Sequence, residues 1–240
     1  MKKTLSIFAI LALFSGCAHK PAPKPAHPKP APVEKILPAP KINWSKDFTR
    51  KYLNDDKVRQ ILAVQYTGIK NIGEQSANVI LYEKVKNGKK TAWQEVLRTT
   101  AFVGMNGIDK TKEGDNKTPS GDYAVTGAFG ILPKPQTKLE YLNIDDSVWA
   151  CDDAGKYNQI VTDGTCKSGE HMIEYSPEYN YGFFIDFNAN NEADKGSAIF
   201  FHLKGAKPFT AGCVAFDEKD MLLMLKTLEK GARVVIDYSN

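Results

Sequence analysis

The sequence predicts a mainly β domain, a sandwich or small barrel-like sheet with one flanking helix. Runs that are rich in β-forming residues recur from residue 60 to residue 238. Asn87-Gly88 separates two of these runs, which is a strong signal for a β-hairpin. Only residues 218–230 have apolar residues near helical spacing. About 200 residues are available for this fold, enough for one domain with a full core.

The elements are expected in a simple order along the chain. A polar lead-in that is helical or irregular occupies residues 44–53. Strands are predicted at 60–66, 76–86, 91–103, 121–126, 172–175, 182–188, 197–203, 213–216 and 233–238. The helix at 218–230 has Asp217 as its expected N-cap and Gly231 as its stop.

The N-terminus resembles an export signal. Lys2-Lys3 precedes a mostly apolar run of about ten residues, which is too short to cross a bilayer. Small residues stand directly before Cys17, as at a bacterial lipoprotein cleavage site, so we expect a signal peptide at 1–16 and a lipid on Cys17. An ordinary secretory signal with a chance cysteine is the alternative.

A proline-rich linker follows at residues 17–43, and the folded domain is expected at 44–240. Eight of the 13 prolines fall between residues 18 and 41, alternating with Ala and Lys. Such a segment forms a semi-rigid polyproline II spacer. The expected location is therefore the periplasm, with a lipid anchor in the membrane. Ala18 after the cysteine favours the outer membrane if the cell is Gram-negative, by analogy with known lipoproteins.

The positive charge of the chain belongs to its N-terminal segments. The formal net charge is +4, but the signal and the linker carry more than this, so the folded part comes to about −2. No cluster of Arg and Lys with interleaved aromatic residues is found there, so nucleic acid is not an expected partner. We expect a monomer.

The remaining cysteines divide into a pair and a single thiol. Cys151 and Cys166 lie 15 positions apart in a polar stretch of an exported chain, which favours a disulfide, with two free thiols as the alternative. Cys213 is left unpaired.

Cys213 and His202 are the candidate nucleophile and base. They lie on two short apolar segments joined by a turn-like Lys207-Pro208, so a hairpin would bring them together. A thiol is mostly protonated at neutral pH, and a neighbouring imidazole is the usual base. Gly212 permits a sharp turn whose amides could hold an oxyanion.

Purely structural roles are the alternatives for His202 and Cys213. His202 alone could be a partly buried strand residue, and Cys213 alone could be a small core residue. A zinc site made of His171, His202, Cys166 and Cys213 is disfavoured, because no two of them have the usual ligand spacing.

Three stretches resemble the L,D-transpeptidase (YkuD-like) family. Residues 114–123 are similar to its D-G-x-T-P-x-G-x-Y motif, and the segment from His202 to Cys213 is similar to its His and [ST]-x-G-C motif. The third is the helix and Val-rich strand that follow the cysteine. Ala211 stands where the family commonly has a second His, and Ala215 and Phe216 stand where Asn or Arg is frequent.

The resemblance implies a substrate class and a set of roles. The fold would be a YkuD-like β-sandwich or small mixed barrel, and the substrate would be the peptidoglycan stem tetrapeptide, attacked by Cys213 through a thioester with His202 as base. Neither a cofactor nor a metal is implied. The supporting residues would be the carbonyl of Leu203, the amides of Gly212 and Cys213, and Thr210, Ala211, Glu170 and His171 as substrate contacts. The insertion at 130–170 would serve as a lid or substrate-selecting element.

Two other functions stay open at this point. Because Ala211 replaces a polar side chain, the thioester could be resolved by water, which would make the protein an L,D-carboxypeptidase or amidase-like hydrolase. A non-catalytic wall-binding lipoprotein with the same fold is the third possibility, and the intact His202 and Cys213 argue against it.

Overall fold

Strands make up most of the regular structure within residues 46–69, 73–88 and 90–239, the part of the chain that the computed structural model describes. The predicted signal peptide, Cys17, the linker and the expected domain start at residue 44 lie outside the described residues. No helix among the described residues is long and apolar enough to cross a membrane.

The described residues form two α-helices and twelve strands. In chain order they are α1 (Lys46–Leu53), β1 (Gln60–Ile69), β2 (Gln75–Asn87), β3 (Lys90–Phe102), β4 (Gly121–Gly130), β5 (Tyr141–Asn143), β6 (Trp149–Cys151), β7 (Gln159–Val161), β8 (Gly169–His171), β9 (Gly182–Ile185), β10 (Phe200–Leu203), β11 (Val214–Phe216), α2 (Glu218–Thr227) and β12 (Arg233–Tyr238).

The main sheet closes on itself as a small mixed barrel. Its strands run in the order β12-β1-β2-β3-β11-β10-β9-β4-β5, and β12 also pairs with β4, which closes a ring of eight strands. The pairs β1–β12, β10–β11 and β4–β5 are parallel. The predicted fold class, a mainly β barrel-like sheet with a helix after the candidate cysteine, is confirmed.

The predicted hairpin is the longest strand pair in the sheet. β2 and β3 pair from Ser76↔Phe102 to Asn87↔Lys90. Gly88 takes a φ of 61°, a conformation that glycine adopts readily and that tight hairpin turns require.

Stacked phenylalanines fill the centre of the barrel next to the helix. The rings of Phe183 and Phe201 stack with centroids 4.5 Å apart, and Phe216 stacks on Phe201 from the other side. The helix α2 buries Met221 and Met224 in the same cluster. Because Phe201 directly precedes His202, this packing fixes the strand that carries the candidate base.

The predicted helix is shorter than expected. It begins after Asp217, as predicted, but it ends at Thr227, because Leu228 turns into extended backbone with a ψ of 143°. The Asp217 side chain makes no capping hydrogen bond, and its carboxylate pairs with Lys204 at 2.9 Å.

The insertion after β4 forms a small second sheet. β6 lies between β7 and β8 in this sheet, and Cys151 forms a disulfide with Cys166. Ala150 and Val148 of the insertion belong to a hydrophobic cluster that also contains Cys213. The insertion therefore packs into the same hydrophobic cluster as the cysteine.

Two further sequence-based expectations were wrong. His202 and Cys213 are not joined by a hairpin, because β10 and β11 pair in parallel and the intervening loop returns to the starting end of β10. Residues 172–175 are not a strand. Met172–Glu174 form a 3₁₀ turn, and the fully buried Met172 anchors it beneath the insertion.

We predict that Phe201→Ala lowers the free energy of unfolding by about 3–5 kcal/mol, because it removes a fully buried ring that stacks on two others. Urea denaturation measures this change. Leu223→Ala is the matched control, since Leu223 is exposed on α2, and it should cost less than about 0.5 kcal/mol. Equal losses in the two variants would contradict this account of the core.

Candidate active site

Parallel pairing places the candidate base and nucleophile on one face of the sheet. His202 pairs with Ala215, and paired residues of neighbouring strands project to the same side. Cys213 precedes Ala215 by two residues, which gives it the same side as His202. Both side chains line one cavity.

The thiol of Cys213 is buried and hydrogen-bonded by backbone. Its Sγ accepts a hydrogen bond from Phe200 N at 3.2 Å and donates one to Ala198 O at 3.2 Å. Ala198 has a φ of 53°, a left-handed conformation that costs a non-glycine residue energy. Burial raises the pKa of Cys213 to about 12, and the nearby Glu170 acts in the same direction. Cys213 is therefore a protonated thiol at rest and needs a base.

His202 is held in the tautomer that a base requires. Its Nδ1 lies 2.7 Å from Leu203 O, and a carbonyl can only accept, so Nδ1 carries the proton and Nε2 has a free lone pair. Burial lowers the pKa of His202, against the opposing effects of the Leu203 carbonyl and the Glu178 carboxylate. The imidazole is thus neutral at pH 7. The described side chains show no hydrogen bond between His202 and Cys213 at rest.

A tight turn at residues 210–213 presents the cysteine. Thr210 Oγ1 donates to Cys213 O at 2.6 Å and accepts from Gly212 N at 3.1 Å. Gly212 has a φ of 155°, and a Cβ there would lie 2.8 Å from Ile199 Cδ1, so only glycine fits without a shift. The predicted oxyanion donor Gly212 is therefore already engaged. The N–H of Cys213 makes no hydrogen bond among the described residues and can serve instead.

The T-P-S-G segment supports this turn. Thr118 is fully buried, and its hydroxyl accepts from Gly104 N at 2.8 Å and lies 3.2 Å from Cys213 O, where it can donate. Residues of this segment therefore hold the backbone of the cysteine turn in place.

Two cavities meet at Cys213. The larger, of about 340 Å³, includes His202, Tyr179 and Glu178 in its lining. The smaller, of about 150 Å³, includes Lys110 and Gly212. Glu170, Ala211 and Cys213 line both, so the two cavities adjoin each other at the cysteine.

The residues predicted to contact substrate do not all reach these cavities. Thr210 and Ala211 line the larger one, although the Thr210 hydroxyl is occupied within the turn. Glu170 lies between the cavities, where burial raises its pKa against a hydrogen bond from Tyr179. His171 lies outside both cavities, stacked on Trp149 with ring centroids 4.4 Å apart.

Three residues near the site were not predicted from the sequence. Tyr179 packs edge-on against His202 with centroids 5.4 Å apart, Glu178 places a carboxylate near the same ring, and Lys110 lies beside Gly212. The sequence carried no usable signal for these three residues, because their places at the site arise from packing.

One group of described residues brings possible metal-ligating atoms within 4.8 Å of one another. It consists of Cys151, Asp153 and Cys166. Its two sulfurs are joined in the disulfide, so they are not thiolate ligands.

This chain was compared with solved structures, with curated proteins and with protein-family models. One similar solved structure is that of the helical cell shape determining protein Pgp2 from Campylobacter jejuni. It has 15% sequence identity and a TM-score of 0.42, and the match covers 82% of this chain and 56% of that one. A mutant of the same protein has 16% identity and a TM-score of 0.44, and the match covers 77% of this chain and 49% of that one. This chain thus spans about half the length of the structures that it matches. A search of curated proteins found no match.

A family model for the L,D-transpeptidase catalytic domain (YkuD) matches residues 75–236. The match contains every strand from β2 to β11, the helix α2, and both His202 and Cys213. The chain belongs to the L,D-transpeptidase (YkuD) catalytic-domain family.

Proposed function

We propose that the protein is an L,D-transpeptidase that acts on peptidoglycan stem tetrapeptides through a thioester on Cys213. The observation that carries the proposal is the placement of Cys213 and His202 on one face of β10 and β11, with the Nδ1–H of His202 bound to Leu203 O. Family membership supports the substrate class.

Acylation begins with a proton transfer. Nε2 of His202 takes the proton of the Cys213 thiol as the sulfur attacks the carbonyl carbon that precedes the terminal D-Ala. An S–C bond forms, and the carbonyl electrons move onto oxygen, where the Cys213 N–H can donate to the oxyanion. The oxyanion then collapses, the C–N bond breaks, and D-Ala leaves with the proton from His202.

The acyl group is then passed to a second molecule. An amine of another stem peptide attacks the thioester and gives its proton to His202, and the sulfur leaves as the thiol. The two cavities that meet at Cys213 support transfer, because donor and acceptor can approach from different sides. Ala211, which is exposed between them, offers no polar group to guide an acceptor, so hydrolysis by water is the competing outcome.

The proposed location follows from the first 43 residues. A signal peptide, a lipid on Cys17 and a stiff proline-rich linker would hold the domain in the periplasm, near the wall. This part of the proposal rests on the sequence alone.

We predict that purified protein changes the muropeptide profile of peptidoglycan sacculi and that Cys213→Ala abolishes the change, because the thioester cannot form without the sulfur. Mass spectrometry of the digested sacculi measures the products. New 3–3 crosslinks indicate transfer, and tripeptides without new crosslinks indicate hydrolysis.

Cys151→Ser with Cys166→Ser is a useful companion to that experiment, since it removes sulfur without removing the nucleophile and should retain the same products. An unchanged profile with the unmodified protein would rule out both enzymatic outcomes. The same products from Cys213→Ala would show that another group is the nucleophile.

We predict that kcat/KM for D-Ala release falls on the acid side with a midpoint below pH 6.5. The base must be neutral, and burial lowers the pKa of His202 below its usual 6.5, so activity persists to mildly acidic pH and is lost only as His202 becomes protonated. No rise from thiol ionisation is expected near neutral pH, because the pKa of Cys213 is raised to about 12. The pH–rate profile of D-Ala release measures the midpoint of the acid-side fall and shows whether the rate rises near neutral pH. An acid midpoint above pH 6.5 would contradict the buried neutral base.

We predict that Cys17→Ala abolishes incorporation of labelled palmitate and releases the protein from the membrane fraction of its cells. Cys213→Ala is the control, since it also removes one thiol and should leave labelling unchanged. Labelling that survives Cys17→Ala would disprove the lipid anchor at this residue.

A further inference from the structure

A buried lysine stands next to the candidate nucleophile. The side chain of Lys110 is only 2% exposed, and its Nζ lies 3.0 Å from Asp115 Oδ1. Lysine is rarely buried to this extent. A buried ion pair is weak evidence for stability, since desolvation offsets much of the attraction, so its position invites a functional explanation.

The ammonium of Lys110 has a fixed place. Asp115 accepts hydrogen bonds from the backbone N–H groups of Thr111 and Lys117 as well as from Lys110. Burial opposes ionisation of Asp115, but these bonds prevail and lower its pKa to about 2. The stem of Lys110 packs under Gly196, where an added Cβ would lie 2.3 Å from Lys110 Cε. Asp115 therefore fixes the ammonium of Lys110, and packing under Gly196 fixes its aliphatic stem. A charge whose position is fixed in this way is preorganised.

The ammonium faces the cysteine turn. Lys110 Nζ lies 3.8 Å from the position that a Cβ on Gly212 would take. Lys110, Gly212 and Cys213 line the same small cavity. The electrostatic effect of Lys110 on Cys213 lowers the thiol pKa, opposite to the effects of burial and of Glu170.

The other charged and titratable groups around Cys213 do not supply this positive charge. Burial raises the pKa of Glu170 and keeps that of His202 low, and the pKa of Tyr179 is raised well above its usual value. Burial opposes ionisation of Glu113, but hydrogen bonds from Tyr157 and Ser197 prevail and lower its pKa. The remaining charged groups that line the two cavities are Asp152, Glu178 and Lys207. Lys207 is exposed, so solvent screens it.

We propose that Lys110 is a positioning residue for the cysteine chemistry: its ammonium, held by Asp115, favours negative charge on the Cys213 sulfur and on an oxyanion bound at the Cys213 amide. The proposal rests on the nucleophilic role of Cys213. The Lys110 ammonium compensates for the burial of the thiol, because a fixed cation in a poorly solvated site stabilises a nearby anion more than it would in water.

The test is the rate at which iodoacetamide alkylates Cys213 in the full chain, followed against pH by intact mass with peptide mapping. In this reaction the thiol proton passes to His202, the sulfur–carbon bond forms and iodide leaves, so no peptidoglycan substrate is needed. We expect Lys110→Met to slow alkylation at pH 7 by about tenfold or more and to move the pH profile to higher pH. Lys110→Arg should restore most of the rate.

Two further variants separate charge from folding. Lys112→Met removes an exposed lysine from the same loop and should leave the rate unchanged. The double variant Lys110→Met with Asp115→Asn removes both charges, so no carboxylate is left buried and unpaired, and it should still alkylate slowly. Thermal melting shows which variants are folded, and the double variant decides the test if Lys110→Met alone does not fold.

A folded Lys110→Met that alkylates at the wild-type rate would overturn the proposal. So would a wild-type rate in the double variant, because Lys110 would then serve only to neutralise Asp115. If wild-type Cys213 alkylates with the expected dependence on Lys110 but no muropeptide product forms, the proposed function fails while the role of Lys110 stands.

Discussion

The parallel pairing of β10 with β11 determines where the candidate base and nucleophile of this domain lie. The register that joins His202 to Ala215 gives His202 and Cys213 the same face of the sheet. The stacked rings of Phe183, Phe201 and Phe216 fix these strands from the core side. A shift of one residue in this register would turn one of the two side chains into the core, so the chemistry depends on the packing.

Burial of the site has two opposite effects on the cysteine: it opposes ionisation of the thiol, and it strengthens the electrostatic interactions that stabilise a charge on the sulfur. Burial opposes ionisation of the thiol and raises the pKa of Cys213. The same burial keeps His202 neutral and strengthens every fixed dipole and charge that acts on the sulfur. The candidate base His202, the Cys213 amide and the Lys110–Asp115 pair all have fixed positions in the protein without substrate. Groups that are fixed in advance lower the free-energy cost of reorganisation in a reaction.

The sequence predicted what local patterns and motifs encode. The Asn87-Gly88 hairpin, the helix after Cys213 and the family were all recognisable, because turn chemistry and periodicity are local. The parallel return of β11 was not recognisable, since a short loop gives no sign of strand direction. The three-residue strands of the insertion are too short to show a period. Lys110 was missed because its importance arises from burial, which a charged residue in a polar loop does not reveal.

The central claim, that Cys213 forms a thioester after activation by His202, is tested most directly by trapping the acyl-enzyme. The protein is mixed with a purified tetrapeptide muropeptide and quenched in acid, and the modified residue is located by mass spectrometry. The account predicts an adduct on Cys213 equal to the substrate minus D-Ala, and strongly reduced formation of it in His202→Gln. Turnover without any adduct on Cys213, or an adduct on another residue, would contradict it.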